Sequence, residues 1–272
     1  MIKALLITLL TATLAHAHGY DARTADYLRA WRIGAANQID PIWNGLVAYW
    51  SMDSVSGNTV FDTWSTNHLT AGSGMAFGSA FGKHLDGADF DGTANGRLVA
   101  PNVSQLKPRS GDMSWSFWLN PDGGSRPDWI SDRSLGPVGA QTGFYIGAGG
   151  FNQSGHTSVL IESTTGYRVL HAGSIYTSTA GWYHFAVTWQ SSTQSIKIYR
   201  NGTDITSLFE FTSSGTVGDV NSPNAITVSG RPGTTDRNYK GQMDEIAIWN
   251  RALTSEEVYR IGNTNNPVFY TP

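Results

Sequence analysis

Between Gly241 and Tyr259 the chain passes from strand to helix with almost nothing between the two. Met243 to Asn250 alternates and is rich in Ile and Trp, the pattern of a half-buried strand. On such a strand the neighbours Asp244 and Glu245 are expected on opposite faces. Thr254 followed by Glu257 makes a capping box, in which each side chain satisfies an amide that the helix start leaves free. Gly262-Asn263 then supplies the stop. The stretch therefore reads as a strand, a tight exit and one short helix.

The rest of the chain reads as strands. Met113, Trp115, Phe117 and Leu119 share one face, and Ser114, Ser116 and Trp118 share the other. Tyr183, Phe185, Val187 and Trp189 repeat the pattern. Ser195 to Arg200 runs into Asn201-Gly202, the signature of a type I′ hairpin turn, with a short strand from Asp204. Gly45–Ser51, Gly143–Ala148, Ser158–Ser163, Arg168–Ala172 and Ala225–Ser229 are further candidates. About a dozen short strands with turn signals between them predict an all-β sandwich or barrel. No period of about 20–50 residues recurs, which disfavours a propeller or solenoid.

The ends differ from this body. Lys3, the apolar run Ala4–Ala15 and Ala15-His16-Ala17 read either as a cleaved secretory signal or as a retained hydrophobic anchor helix. The run is too short to span a bilayer, so no transmembrane span is expected. Residues 18–42 form a linker with a short amphipathic helix over Ala22–Ala36, where Tyr27, Leu28, Trp31 and Ile33 alternate with Arg23, Arg29 and Arg32. The division is therefore 1–17, 18–42, a sandwich over 43–265, and a tail of 266–272.

Composition excludes several function classes. A formal charge of -3 gives no basic footprint, so no nucleic-acid partner is expected. With no Cys, disulfides cannot staple the fold. There is no Gly-x-Ser-x-Gly elbow and no His-Glu-x-x-His zinc helix, and His156, His171 and His184 are scattered. His184 reads as a sheet residue that makes hydrogen bonds rather than a metal ligand. A retaining glycosidase needs two carboxylates about 5–5.5 Å apart. Glu162 and Glu210 each stand alone, and Glu256 and Glu257 belong to the helix cap, so the chain is read as non-catalytic.

Sugar recognition needs exposed aromatics flanked by polar groups. Trp64, Trp129, Tyr176 and Tyr239 fall in turn-rich stretches and are the candidate stacking residues. Arg126, Asp128, Asp132, Asn152, Arg231, Asp236 and Arg237 lie in neighbouring loops, with Arg231 and Asp236 singled out beside the aromatics. The competing reading is core, because most Trp residues sit on alternating strand faces. The sequons at Asn102, Asn152 and Asn201 carry no further inference, and the hairpin explains Asn201.

Taken in order, Gly45–Asp53, His84–Gly92, Met113–Trp118, Gly181–Trp189, Ile198–Gly202 and the Asp244 block resemble the laminin-G-like members of the concanavalin A-like lectin/glucanase superfamily. The resemblance implies a jelly-roll sandwich of two curved antiparallel sheets, with a short N-terminal helical extension outside it. It also implies a recognition or adhesion module at the cell surface or outside the cell, with a glycan or surface polysaccharide as partner. Relatives of this kind often hold a structural Ca²⁺ near the carboxylate before the last apolar strand. That places a calcium ion at Asp244, with Asp62 as a second ligand, among the aspartates Asp53, Asp86, Asp89 and Asp91 of the matching blocks. The alternative is that Asp244 caps or bridges the N- and C-terminal edges by hydrogen bonds alone. Residues 18–42 also resemble N-terminal stretches of phage structural proteins, which implies a second function: a virion or appendage subunit anchored by residues 1–42.

Overall fold

The computed structural model describes residues 41–122, 127–134, 136–148, 157–173 and 181–263. The expectations placed on residues 1–40, on 266–272 and on Arg126, Asn152, His156 and Tyr176 lie outside these residues. Among the described residues no helix is long and apolar enough to cross a membrane.

Two antiparallel sheets form the body. The eight-stranded sheet runs in the order β15 (Thr203–Asp204), β14 (Ser195–Arg200), β13 (Tyr183–Gln190), β8 (Met113–Pro121), β18 (Lys240–Trp249), β6 (Gly87–Asp91) and β5 (Met75–Gly78), with β1 (Leu46–Trp50) also paired to β18. The ten-stranded sheet runs β16 (Glu210–Gly215), β12 (Gly166–Ala172), β11 (Thr157–Ser163), β10 (Gly143–Ala148), β9 (Asp128–Ser131), β17 (Thr227–Val228), β7 (Leu98–Val99), β4 (Leu69–Ala71), β3 (Thr59–Val60) and β2 (Val55–Ser56). The expected face sets hold. Met113, Trp115, Phe117 and Leu119 of β8, with Phe185, Val187 and Trp189 of β13, enter the core between the sheets. Their alternation is what puts every second side chain there.

The helix is α1 (Ser255–Gly262), and its capping box forms as the sequence predicts: Thr254 accepts from the Glu257 amide while Glu257 reaches back to Thr254. It covers the outward side of the eight-stranded sheet, where Ala186, Tyr199, Ala247, Trp249, Leu253, Val258 and Ile261 form a second apolar cluster. The Asn201-Gly202 turn is left-handed at both positions, as a type I′ hairpin requires.

Three expectations change. First, β18 is buried on both faces, not half-buried, because α1 and the segment around Ile42 cover its outward side. Secondly, the pairing of β18 with β8 shifts between Asp244 and Ala247, and Glu245 sits at φ 54. This bulge lets Met243, Ile246 and Ile248 all face the core and moves Asp244 and Glu245 out of strict alternation. Thirdly, β9 and β16 are strands that were not among the expected ones.

Candidate functional site

At one end of the ten-stranded sheet the starts of β7 and β9 and the end of β17 lie side by side, because the three strands are antiparallel neighbours. Each start or end carries charge. Asp128 opens β9, Arg97 immediately precedes β7, and the loop from Ser229 to Tyr239 leaves β17 carrying Arg231, Asp236 and Arg237. That loop is tightly tied. The Gly230 amide donates to the Asp128 carbonyl at 2.7 Å and the Asp128 amide to the Arg237 carbonyl at 2.9 Å. Thr234 Oγ1 donates to the Arg231 carbonyl at 3.1 Å, and Asn238 Nδ2 to the Thr235 carbonyl at 2.8 Å. Ser229 and Arg237 both hold left-handed backbone, at φ 65 and 64, a strained conformation for residues with a Cβ. Strain of this kind persists only where the surroundings fix it, and it gathers at binding sites.

The three arginines converge. Arg231 Nε donates to Asp128 Oδ2 at 2.6 Å, and its guanidinium lies 4.6 Å from the centroid of the Tyr145 ring. Arg237 Nη1 is 3.8 Å from Asp128 Oδ1. Arg97 donates from Nε to Asn238 Oδ1 at 2.9 Å, and from Nη1 and Nη2 to the carbonyls of Arg231 and Asp236 at 3.3 Å each. Its guanidinium lies flat against Gly230, where a Cβ would come within 2.6 Å of Nε. Only glycine admits the arginine here, and Gly230 also sits at φ 99. Asp128, Arg231 and Tyr145 are buried, Arg97, Arg237 and Asn238 are half-buried, and Asp236 is exposed. Burial raises the Asp128 carboxyl against the opposing pull of Arg231 and Arg237, and pushes the Tyr145 phenol up to about 12. The result is a rigid, half-open polar rim with an aromatic ring beneath it.

The same sheet and the loop after β9 hold three more buried charged groups. Arg133 Nε donates to Glu162 Oε1 at 2.6 Å, and the rest of its guanidinium is taken up by the carbonyls of Ser134, Gly136 and Pro137. Asp132 accepts from the Phe144 amide at 2.7 Å, and burial pushes its carboxyl up to about 7. Asp128, Asp132 and Glu162 are thus each buried and engaged, whereas Glu210 at the start of the edge strand β16 is exposed beside His171.

The sequence-based candidates divide. Arg231 and Asp236, with Asp128 and Arg237, do meet in this rim. Trp129 and Tyr239 do not: both are fully buried, Trp129 against Phe117 and Phe185 and Tyr239 against Phe90. Trp129 is the extra residue where the pairing of β9 with β10 shifts, and that shift turns it inward. Trp64 is half-buried and stacked on Trp43 with centroids 5.4 Å apart, at the edge of the apolar cluster under α1. Arg97 and Asn238 were missed, although the Gly96-Arg97 step before an apolar pair is the signal that could have found Arg97.

The expected calcium ligands are separately placed. Asp62 is buried, and its two oxygens accept from the amides of Tyr49, Trp64, Ser65 and Asn67 and from the Ser65 hydroxyl. A Ca²⁺ ion, which takes six to eight oxygens, would have to displace those donors, so Asp62 does not fit one. Asp244 accepts from the amides of Lys83 and His84 at 2.9 Å each and from that of Glu245 at 2.9 Å. It therefore bridges the loop before β6 to β18 by hydrogen bonds. Beside it, the Tyr49 hydroxyl donates to Glu245 Oε2 at 2.5 Å, and Glu245 Oε1 is buried without a partner. Among the described residues no three acidic or histidine side chains are grouped to hold a metal ion. His184 makes a sheet hydrogen bond, 2.8 Å from Ser116 Oγ, as expected.

A family model described as the concanavalin A-like lectin/glucanases superfamily matches residues 91–259. No curated protein sequence matches the chain. Among solved structures, domain 4 of a GH43 extracellular arabinanase from Geobacillus stearothermophilus, in complex with arabinotriose, is similar at 19% identity and TM-score 0.56 over 80% of this chain and 98% of that one. The ligand binding domain of botulinum neurotoxin serotype D, in complex with N-acetylneuraminic acid, is similar at 13% identity and TM-score 0.57 over 80% of this chain. The chain spans only 50% of that toxin domain. A Trypanosoma rangeli sialidase is similar at 13% identity and TM-score 0.52, over 90% of this chain but 38% of the enzyme. At these identities the likeness is one of fold.

Proposed function

For this chain, which belongs to the concanavalin A-like lectin/glucanases superfamily, we propose a non-catalytic glycan-recognition module displayed outside the cell. The observation that carries the reading is the rim: Arg97, Arg237, Asn238 and Asp236 converge on a strained loop that hydrogen bonds hold rigid. A preformed set of donors and acceptors suits sugar hydroxyls, because little ordering entropy is lost when they engage. The arabinanase domain and the toxin domain, each solved with a sugar, support a sugar as the ligand.

Recognition here is polar more than aromatic, since two of the expected stacking residues are core. A hydrolase reading finds less support. Asp128 and Glu162 are buried and held by guanidinium groups, Asp132 is buried and held by a backbone amide, and the exposed Glu210 lies beside His171. A pair flanking a glycosidic bond must be open to the sugar.

The test is a glycan panel containing arabinan oligosaccharides and sialylated oligosaccharides, read by calorimetry. Asn238→Ala and Arg237→Ala are expected to weaken the best ligand tenfold or more. Tyr259→Ala, on the exposed side of α1, should leave binding unchanged. Equal affinity in the rim variants would remove the site assignment. Release of reducing ends from any panel member would remove the non-catalytic reading.

A further inference from the structure

On the outward face of the eight-stranded sheet, near the point where the rim loop runs into β18, four side chains fall on one register line. Asp89 of β6 pairs with Gln242 of β18, and Gln242 pairs with Asn120 of β8. Tyr183 pairs with Leu119, which sets Trp182, one residue before β13, opposite Asn120. The neighbours Ala88, Phe90, Met243, Leu119 and Tyr183 pack on the core, so alternation turns all four outward.

Three of the four belong to a polarised chain. The Gly181 amide donates to Asn120 Oδ1 at 2.6 Å, Asn120 Nδ2 to Gln242 Oε1 at 2.9 Å, and Gln242 Nε2 to Asp89 Oδ1 at 2.5 Å. Each amide nitrogen carries two hydrogens, and the chain uses one of each. Asp89 Oδ2 makes no hydrogen bond among the described residues. All three side chains are half-buried, so their spare valences are held in fixed positions without being enclosed, and the chain strengthens the donors left over. Trp182 is the aromatic member. Six tryptophans are buried, and Trp43 and Trp64 stack on each other at the edge of the cluster under α1. Trp182 is half-buried, joins no apolar cluster and meets no other ring among the described residues. An indole left out of the core beside fixed amides and a carboxylate supplies both requirements of sugar recognition: a face for C–H patches and partners for hydroxyls.

Resting on the glycan-recognition reading, we infer that this line is a second sugar subsite, outside the rim, and that it takes a neutral oligosaccharide. One ring stacks on Trp182, and the hydroxyls of that ring and the next meet Asn120, Gln242 and Asp89. Neighbouring strands lie about 4.8 Å apart, so the line from Trp182 to Asp89 spans about 14 Å, longer than one sugar ring. Asp89 accepts a hydroxyl and repels a carboxylate or sulfate in the same place, which sets the neutral class.

The test is an NMR titration of the full chain with neutral oligosaccharides of two to six units from arabinan, cellulose and galactan, and with oligogalacturonate as the acidic comparison. The Trp182 indole N–H resonance, identified by its loss in Trp182→Phe, is expected to shift with at least one neutral series. Affinity in that series should rise ten-fold or more from two to four units. Trp182→Ala should remove that gain, and Gln242→Ala should reduce it several-fold. Because truncating Trp182 also uncovers the sheet beneath it, Trp182→Phe serves as the second variant: it keeps a ring face and should keep the melting temperature and part of the gain. An unmoved Trp182 resonance at saturation would overturn the subsite; if Asn238→Ala still weakens that ligand, the glycan reading stands. Binding of oligogalacturonate alone would overturn the neutral class. Binding of no member, together with silence across the wider panel, would overturn the subsite and the glycan reading together.

Discussion

Buried carboxylates on the two sheets are neutralised in different ways. On the ten-stranded sheet Asp128 and Glu162 each meet a guanidinium at 2.6 Å. On the eight-stranded sheet Asp244 and Glu245 meet backbone amides and a phenol, with Asp53 close enough to add its charge. Burial raises both of these carboxyls, Asp244 well above its usual value and Glu245 to about 8. The first arrangement fixes geometry: two charges that cannot separate without stranding one of them hold the loops after β9 and β17 in place. The second fixes register, since Asp244 and Glu245 tie β18 to the loop before β6 and to β1. Its charge is the part most easily dispensed with.

The largest expected effect breaks the arginine-braced side. Arg133→Met leaves Glu162 buried without its cation and should cost about 3–5 kcal/mol in urea unfolding. Adding Glu162→Leu should recover most of that loss. A single-variant cost below about 1 kcal/mol would show that the pair acts like a surface ion pair. On the other sheet the same operation has the opposite sign. Glu245→Gln keeps an oxygen for the Tyr49 hydroxyl and removes a disfavoured charge, so it should gain about 1 kcal/mol at pH 8 and nothing at pH 5. A loss at pH 8 would mean that a cation compensates the carboxylate.

The pH profile sharpens the contrast further. Asp132 and Glu245 have raised folded values of about 7 and 8, so the unfolded chain releases their protons first. Their contribution is full below the ordinary carboxylate range and is lost as pH rises through 7 and 8, so melting temperature should fall from about pH 6.5 to pH 8. Asp132→Asn should flatten the lower part of that fall. His84 and His184 are lowered by burial to about 4 and about 3. They stabilise while neutral, so below about pH 6.5 their contribution is lost as pH falls and opposes that of the carboxyls. A melting temperature that rises between about pH 6.5 and 8 would reverse the assignment. The smallest expected effect is none: chelation, or added calcium, should not move the melting temperature, because the oxygens of Asp62 are occupied. A shift of several degrees would restore the metal.

What could be read in the sequence was local. The faces of β8 and β13, the Asn201-Gly202 turn and the Thr254–Glu257 capping box each depend on residues a few positions apart, and each stands as expected. Misreadings arose where a shift in strand pairing overrode alternation. Trp129 follows a stretch rich in Gly, Ser and Pro and reads as a loop residue, yet the irregular pairing of β9 puts it in the core. Asp244 and Glu245 read as residues on opposite faces until the bulge regroups them. The rim was half legible: its loop residues were named, but the partner of Arg231 lies 103 positions away, and no spacing rule links Arg97 to Asn238 across 141.

The placement of β18 also bears on how the chain is made. This strand is hydrogen-bonded to β1, β6 and β8, and so lies in the middle of the eight-stranded sheet although it is the last strand synthesised among the described residues. Until it leaves the ribosome, β8 and β6 have no partner between them and β1 is not joined to this sheet. The nascent molecule must therefore wait with apolar strand edges open, which is when a chaperone would be needed most. A truncation that removed β18 would take out the centre of the sheet, leaving two separate groups of strands and an unpaired β1 in place of a slightly smaller domain.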